Sequence, residues 1–136
     1  MATYTKFQCF VEDLAHGVHN FDTNTIKVAL SSAANAPSAS ADAVLADITT
    51  IAAPAVDSVT LTKTSSGQTT GTYKYVPADL TMTASGAVGP FRYVIIYNDT
   101  ATDDPLICFF DYGSEVTLAS GDTFKLDFGT ELFSLA

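Results

Sequence analysis

Apolar side chains in the N-terminal stretch TKFQCFVEDLAHGVHNF recur with the spacing of a helix. At about 100° per residue, the apolar residues of this stretch fall within an arc of about 100°. They are Phe7, Phe10, Val11, Leu14 and Val18, and Phe21 would join them. Thr5 followed by Gln8 matches a capping box, in which two side chains bond the first backbone amides of a helix. The pattern therefore predicts an amphipathic helix over residues 5–18.

Alternation of apolar and polar residues, the pattern of β-strands, dominates the rest of the chain. A first short strand, TIKVALSS, places Ile26, Val28 and Leu30 on one face. From residue 58 onward, turn signals separate strand patterns at a spacing of about 8–12 residues, for a total of about seven or eight strands. We predict a mainly β protein, an antiparallel β-sandwich or jelly roll with the N-terminal amphipathic α-helix packed on it.

One segment interrupts the β pattern. Residues 32–57 are dense in alanine and serine and contain the breakers Pro37 and Pro54. A stretch this long without clear structure is unusual inside a compact domain, so it either crosses the protein's own surface or packs on a partner. At 136 residues the chain fits a single domain, 1–136, made of the helix, this Ala/Ser-rich segment and a main β region over 58–136.

Two predicted strands, FRYVIIY and PLICFFDY, are apolar on both faces. In the first, Phe91, Tyr93, Ile95 and Tyr97 alternate with Val94 and Ile96; in the second, Leu106, Cys108, Phe110 and Tyr112 alternate with Ile107 and Phe109. Both faces of the sheet must therefore be covered. We expect the second sheet of the sandwich on one face and the amphipathic helix on the other, with an interface to another copy as the alternative.

Composition and charge exclude several classes of function. Charged residues make up 15% of the chain, and six basic against 15 acidic residues give a net charge of −9, which disfavours binding to nucleic acid. No apolar run approaches the roughly 18–20 residues of a membrane span. The first residues, MATYTKFQCF, lack the pattern of a signal peptide, so we expect synthesis in the cytoplasm, where Cys9 and Cys108 would remain buried thiols.

Candidate chemistry is sparse. No nucleophile elbow, phosphate-binding glycine loop or zinc-protease motif is present, and we expect neither an enzyme nor a cofactor. Three weaker possibilities remain: a metal site on the helix, a calcium site in the acidic loop, and a sugar-stacking surface of tyrosines. Each has a simpler explanation: the helix residues form a solvated polar face, the loop residues form a solvated hairpin tip, and the tyrosines pack in the core. Those residues are Cys9, Glu12, His16 and His19 on the helix, Asp99, Asp103 and Asp104 in the loop, and Tyr73, Tyr75, Tyr93, Tyr97 and Tyr112 on strands.

The chain resembles small virion structural proteins of tailed bacteriophages, of the head decoration type. The resemblance rests on KFQCFVEDLAHGVHNF, TIKVALSSAA, AVLADITTIA, GPFRYVIIYNDTA, PLICFFDYGSEVTLASGDTFKLDF and the closing LA, in this order over most of the chain. It departs near IAAPAVDS, where such proteins are associated with a glycine-rich stretch. No functional residues of the family transfer position by position.

What the resemblance implies is a role in the phage particle. We expect a capsid decoration (cement) protein, made in the host cytoplasm, that binds the outside of the assembled head through the major capsid protein, as a homotrimer. A tail, baseplate or head-fibre component is the alternative, followed by a carbohydrate-binding module for host attachment. Candidate contacts are the segment 32–57, with Pro37 and Pro54, and the loop 98–105, with Asp99, Asp103 and Asp104.

Overall fold

The computed structural model describes residues 2–136, which form nine strands and one α-helix. The elements are β1 (Thr3–Lys6), α1 (Cys9–Ala15), β2 (Ile26–Ser31), β3 (Lys63–Thr69), β4 (Thr72–Pro77), β5 (Leu80–Thr83), β6 (Val88–Asn98), β7 (Leu106–Leu118), β8 (Thr123–Leu126) and β9 (Phe133–Leu135). Two short 3₁₀ turns, Ala33–Asn35 and Leu45–Asp47, lie in the Ala/Ser-rich segment. The prediction of a mainly β protein with one helix is confirmed.

All strand pairs are antiparallel, and the strands form three sheets. The largest has the order β1-β7-β6-β2, and its long central strands β6 and β7 are the two that are apolar on both faces. The others have the orders β3-β4-β9 and β5-β8. Residues 59–61 extend the outer edge of β2, because Val28 N–H donates to the Val59 carbonyl over 2.8 Å and Leu61 N–H to the Ile26 carbonyl over 2.9 Å.

The helix is shorter than the sequence predicts. Thr5 lies in β1 and pairs with Phe109 of β7, so the predicted capping box with Gln8 is wrong. The register of β1 satisfies backbone groups along the edge of β7, and this long-range pairing outweighs the local helical pattern. At the other end, Gly17 takes φ +72° and ends the helix.

The main core lies where residues of all three sheets meet. It contains the buried faces of β2, β4 to β9 and one helix residue, Phe10. Aromatic rings dominate the end nearest the helix: Phe133 lies 5.1 Å from Phe10 and 4.8 Å from Phe21, measured between ring centroids. The predicted inward set of β2, with Ile26, Val28 and Leu30 all buried, is confirmed.

The Ala/Ser-rich segment covers the second face of the large sheet. A separate apolar cluster there consists of Phe7, Ile48, Ile95, Tyr97, Leu106 and Phe109, with Ala39 and Leu45 packed against it. Hydrogen bonds fix the segment in place, among them Ile51 N–H to the Leu30 carbonyl at 2.8 Å and Leu106 N–H to the Ala43 carbonyl at 3.0 Å. The expectation that the helix lies across this face is wrong: α1 itself adds only the half-buried Cys9 to the cluster.

Two register shifts move side chains to the face opposite the predicted one. The first, around Phe91, is double: pairing passes from Val88–Leu118 through Phe91–Val116 to Tyr93–Asp111, so that first β6 and then β7 carries extra residues, and Phe91 lies in the main core. A second shift, at Ile96–Cys108 and Tyr97–Leu106, places Leu106 in the second cluster with Phe109. Extra residues in one strand break the two-residue alternation, which is why simple alternation assigned these side chains wrongly.

Candidate binding surfaces

An open, concave groove lies between β7 and β8. Its volume is about 790 Å³, and it is bordered by Ala2, Val94, Phe110, Tyr112 and the run 123–129. We call it the aromatic groove, because Phe110, Tyr112, Phe124 and Phe128 provide its rings. The volume is within the range of protein sites that bind small molecules or peptide side chains, about 300–1,000 Å³.

The rings of the groove hold one another in place across the two strands. Tyr112 lies 5.5 Å from Phe124, and Phe110 lies 6.1 Å from Phe128, between ring centroids. Tyr4 of β1 packs edge-on against Phe110, a residue that lines the groove, at 5.4 Å between ring centroids. Tyr112 and Tyr4 are 42% and 40% exposed, so two large aromatic side chains face solvent on one side of the molecule.

Strand β8 borders the groove with its edge. Consecutive residues from Thr123 to Gly129 line the groove, whereas one face of a strand would supply only alternate residues. In its sheet, β8 pairs with β5 alone, so its other edge carries no partner strand among residues 2–136. The groove thus combines an apolar floor with an open strand edge.

Few charges border the groove. Lys125 forms an ion pair with Asp79 at 3.3 Å, and Asp127 accepts a hydrogen bond from Gly129 N–H at 2.9 Å. Burial, assisted by the neighbouring Cys108, raises the pKa of Tyr4, so its phenol stays neutral at physiological pH. This surface suits an apolar partner better than a charged one.

The acidic loop 98–105, predicted from the sequence as a contact, lies at the opposite end of β7 from Leu118. Asp99 forms an ion pair with Lys27 at 2.8 Å. Burial and the nearby Asp99 raise the pKa of Asp104. Asp103 and Asp104 have positive φ angles of 66° and 52°. Within residues 2–136, no three His, Cys, Asp or Glu side chains come close enough together to hold a metal ion.

The structure brings part of the Ala/Ser-rich segment to this loop, but not the two prolines together. Leu45 N–H donates to the Asp104 carbonyl at 3.0 Å, beside a bridge between Val44 and Pro105. Pro37 instead precedes the turn 38–42, which meets the start of α1. Pro54 precedes Ala55, whose carbonyl accepts a hydrogen bond from Ser85 N–H beyond β5. The predicted contact residues therefore lie on three separate parts of the surface.

The four helix residues that were considered as possible metal ligands do not come together. Because α1 ends at Ala15, His16 is exposed near Glu12, while His19 is buried in the main core region. The Cys9 sulfur points to the carbonyls of Asp42 and Ala43 at 3.8 and 3.6 Å. The four side chains thus diverge, since their predicted common face required a longer helix.

The tyrosines suggested for sugar stacking are mostly unavailable for it. Tyr75 and Tyr97 are buried, and the Tyr73 hydroxyl hydrogen-bonds the Ser66 hydroxyl at 2.7 Å. Of that set, Tyr112 alone belongs to the exposed large apolar side chains. Sequence reasoning missed the aromatic groove as a unit. The inward alternation of Phe124 and Phe128 was available as a signal, but not the approach of Tyr112 from another sheet.

Comparisons with known proteins identify no relative of this chain. No protein-family description, no curated protein and no solved structure matches it. Within the described part of the chain, no helix has the length and apolar character needed to cross a membrane.

Proposed function

We propose that this chain is a structural protein of a tailed-bacteriophage particle, a decoration protein that binds the outside of the assembled head. In this proposal it acts as a homotrimer, contacts the major capsid protein and catalyses no reaction. Binding only the assembled lattice stabilises that lattice by mass action. The sequence resemblance described above supports the role in the particle.

The aromatic groove is the observation that carries the proposal of a binding function. Exposed tyrosines pack well against a partner at a low cost in side-chain entropy, and aromatic residues are enriched where protein interfaces gain most of their affinity. Tyr112 and Tyr4 flank a concave surface with few charges on a chain whose net charge is −9. We propose that an extended segment of the major capsid protein occupies the groove and pairs with the open edge of β8.

Charge supports the outer rather than the inner surface of the head. A net charge of −9 repels the phosphates of a packaged genome, so a position against DNA is unfavourable. On the outer surface the same charge favours solubility before assembly. We also propose that the large sheet and the two smaller sheets form the two layers of a β-sandwich, because side chains from all three meet in the main core.

The first test is the copy number of the chain in purified particles, measured by quantitative mass spectrometry against the major capsid protein. A ratio near one to one, or one to a small integer, is the expected result. A handful to a few dozen copies per particle would overturn the decoration role and favour the tail, baseplate or head-fibre alternative.

A second test addresses the groove. Heads lacking the protein are mixed with the wild-type chain or with Tyr112→Ser, and bound protein is measured after sedimentation. We expect Tyr112→Ser to weaken binding at least about tenfold, the effect of losing a central aromatic contact. Val11→Ser, which removes an exposed apolar side chain from α1, is the matched control and should bind as the wild type does. Equal binding by all three proteins would exclude the groove as the contact.

A further inference from the structure

His19 is a buried histidine in the connection between α1 and β2. It is 8% exposed, and its ring lies between Phe10 and Phe21, with centroid distances of 5.2 and 5.4 Å. Its Nδ1 atom is 3.1 Å from the side-chain nitrogen of Asn98, at the end of β6. Its Nε2 atom is buried and has no hydrogen-bond partner. The imidazole is therefore held by one polar contact inside an aromatic pocket.

Asn98 can only donate to His19, because its other hydrogen bonds fix the orientation of its amide. The Asn98 Oδ1 atom accepts from the backbone N–H groups of Thr100 and Ala101, at 3.0 and 3.2 Å. Its nitrogen also donates to Asn24 Oδ1 at 2.8 Å. If the amide were flipped, its nitrogen would lie against the N–H groups of Thr100 and Ala101, donor against donor. Its oxygen would lie against Asn24 Oδ1, acceptor against acceptor. The observed orientation is the one in which every contact is complementary.

This orientation determines the protonation state of His19. Since Asn98 donates, His19 Nδ1 must accept, and the ring proton of the neutral form then lies on Nε2. A protonated ring would set an Nδ1–H donor against the Asn98 N–H donor. It would also bury a charge whose other N–H has no acceptor, which is costly in an apolar environment.

The same network joins two loops. Asn24, in the turn before β2, and Asn98, at the start of the loop 98–105, meet through their side chains. Thr25 N–H donates to the Thr100 hydroxyl at 2.8 Å, and Asp99 N–H donates to the Thr25 carbonyl at 2.9 Å. Loss of the Asn98 contacts would therefore loosen the turn 20–25 and the loop 98–105 together.

We propose that His19 is an acid-sensitive latch: as a neutral ring it holds Asn98 and, through it, the loop 98–105 against the turn 20–25, and its protonation releases them. Burial lowers the pKa of His19, and Asp13 on α1 opposes this shift only in part. The other nearby charges are engaged elsewhere: His16 lies near Glu12, and Asp22 pairs with Lys63.

Beyond Asn98, Asp99 pairs with Lys27, and Asp104 carries a raised pKa in the same loop. The residue of β9 that meets the rings flanking His19 is Phe133, which carries no charge. No described carboxylate therefore contacts the imidazole to compensate a positive charge.

The sign of the pH dependence follows from the lowered pKa. Above the ordinary histidine pKa of about 6.5, the ring is neutral in both folded and unfolded chains and no penalty exists. As the pH falls below this value, the unfolded or opened chain binds the proton first, so the latch weakens until the pH reaches the lower pKa of the folded state. The ratio of closed to open forms falls by about tenfold for each unit between the two pKa values.

The experiment compares the wild type, His19→Asn and His16→Asn between pH 7.5 and pH 5. Asparagine places a neutral oxygen acceptor near the position of Nδ1. His19→Asn should therefore lose the packing of the ring, and it should also lose the acid sensitivity between pH 7.5 and pH 5. His16→Asn, which removes the exposed histidine, should retain the wild-type sensitivity. Urea unfolding measures stability, and hydrogen exchange at Thr100 and Ala101, corrected for intrinsic rates, reports opening of the loop.

A nuclear magnetic resonance titration keeps the test decisive if His19→Asn does not fold. The chain has two histidines, so the spectrum of His16→Asn identifies the His19 ring. The expected result is the Nε2–H tautomer at neutral pH and titration of His19 below the ordinary histidine pKa of about 6.5. An Nδ1–H tautomer, titration of His19 at or above the ordinary histidine pKa of about 6.5, or equal acid sensitivity in wild type and a folded His19→Asn would each overturn the proposal.

Discussion

The substitution Ile48→Ala tests whether the Ala/Ser-rich segment covers the second face of the large sheet. Ile48 is buried within the second cluster, and the substitution removes three carbon atoms from it. At about 0.8 kcal/mol per buried carbon, the transfer term is about 2.4 kcal/mol. A cavity adds to this cost, but a small cluster under a loop can partly collapse, so we expect a loss of about 2–3 kcal/mol in the free energy of unfolding.

The assay is urea unfolding followed by circular dichroism, with thermal unfolding as a second measure. For a chain of 136 residues the expected loss lowers Tm by about 6–12 °C. The matched control is Thr49→Ala, an exposed neighbour whose replacement should change stability by less than about 0.5 kcal/mol. If Ile48→Ala matched this control, the segment 32–57 would not cover the sheet in solution, and the second face would be open to a partner.

Two further outcomes follow from the packing. Gly89 has φ +106°, and a Cβ added there would lie 2.5 Å from a β7 carbonyl oxygen. Gly89→Ala should therefore cost at least about 2 kcal/mol in urea unfolding. Gly113→Ala, at φ +94° with no atom within 4 Å, should cost less, and equal losses would contradict the steric argument. Burial raises the pKa of both Cys9 and Cys108, and Cys108 is fully buried, so a colourimetric thiol reagent should label Cys9 slowly and Cys108 only after denaturation. Rapid labelling of native Cys108 would refute its burial.

Alternation within a single strand proved a reliable guide where the strand is regular. The strand β2 buries the predicted residues, and in the run 125–128 the buried Leu126 and Phe128 alternate with the exposed Lys125 and Asp127. These outcomes depend only on the two-residue repeat of an extended chain and on the transfer of apolar side chains from water. Both are local properties, so their consequences can be predicted directly from the pattern of apolar and polar residues.

Alternation predicted the wrong face for side chains where one strand of a pair carries more residues than its partner strand. Phe91 and Leu106 lie next to register shifts between β6 and β7, and each points to the face opposite the predicted one. Such a shift depends on how two distant strands align. The residues of either strand alone do not indicate the shift, because each strand is apolar on both faces.

For the candidate site residues, too, the sequence predicted local character and the tertiary structure decided which residues meet. The sequence identified Asp99, Asp103 and Asp104 as an exposed acidic loop and His19 as one of a helical polar set. Only the folded chain places His19 between two aromatic rings and against Asn98, 79 positions away. The proton position on the imidazole then follows from hydrogen bonds made by loops that are remote in sequence.

By itself, the amino-acid sequence determined the β class, most strand positions, the net charge and the absence of recognisable catalytic motifs. These depend on composition and on the repeat of side chains along an extended backbone. The tertiary structure decided that residues 3–6 form a strand, that the Ala/Ser-rich segment covers the second face of the large sheet, and that the aromatic groove and the His19 network exist. Each of these requires contact between segments far apart in the chain, where long-range hydrogen bonds and burial outweigh local preference.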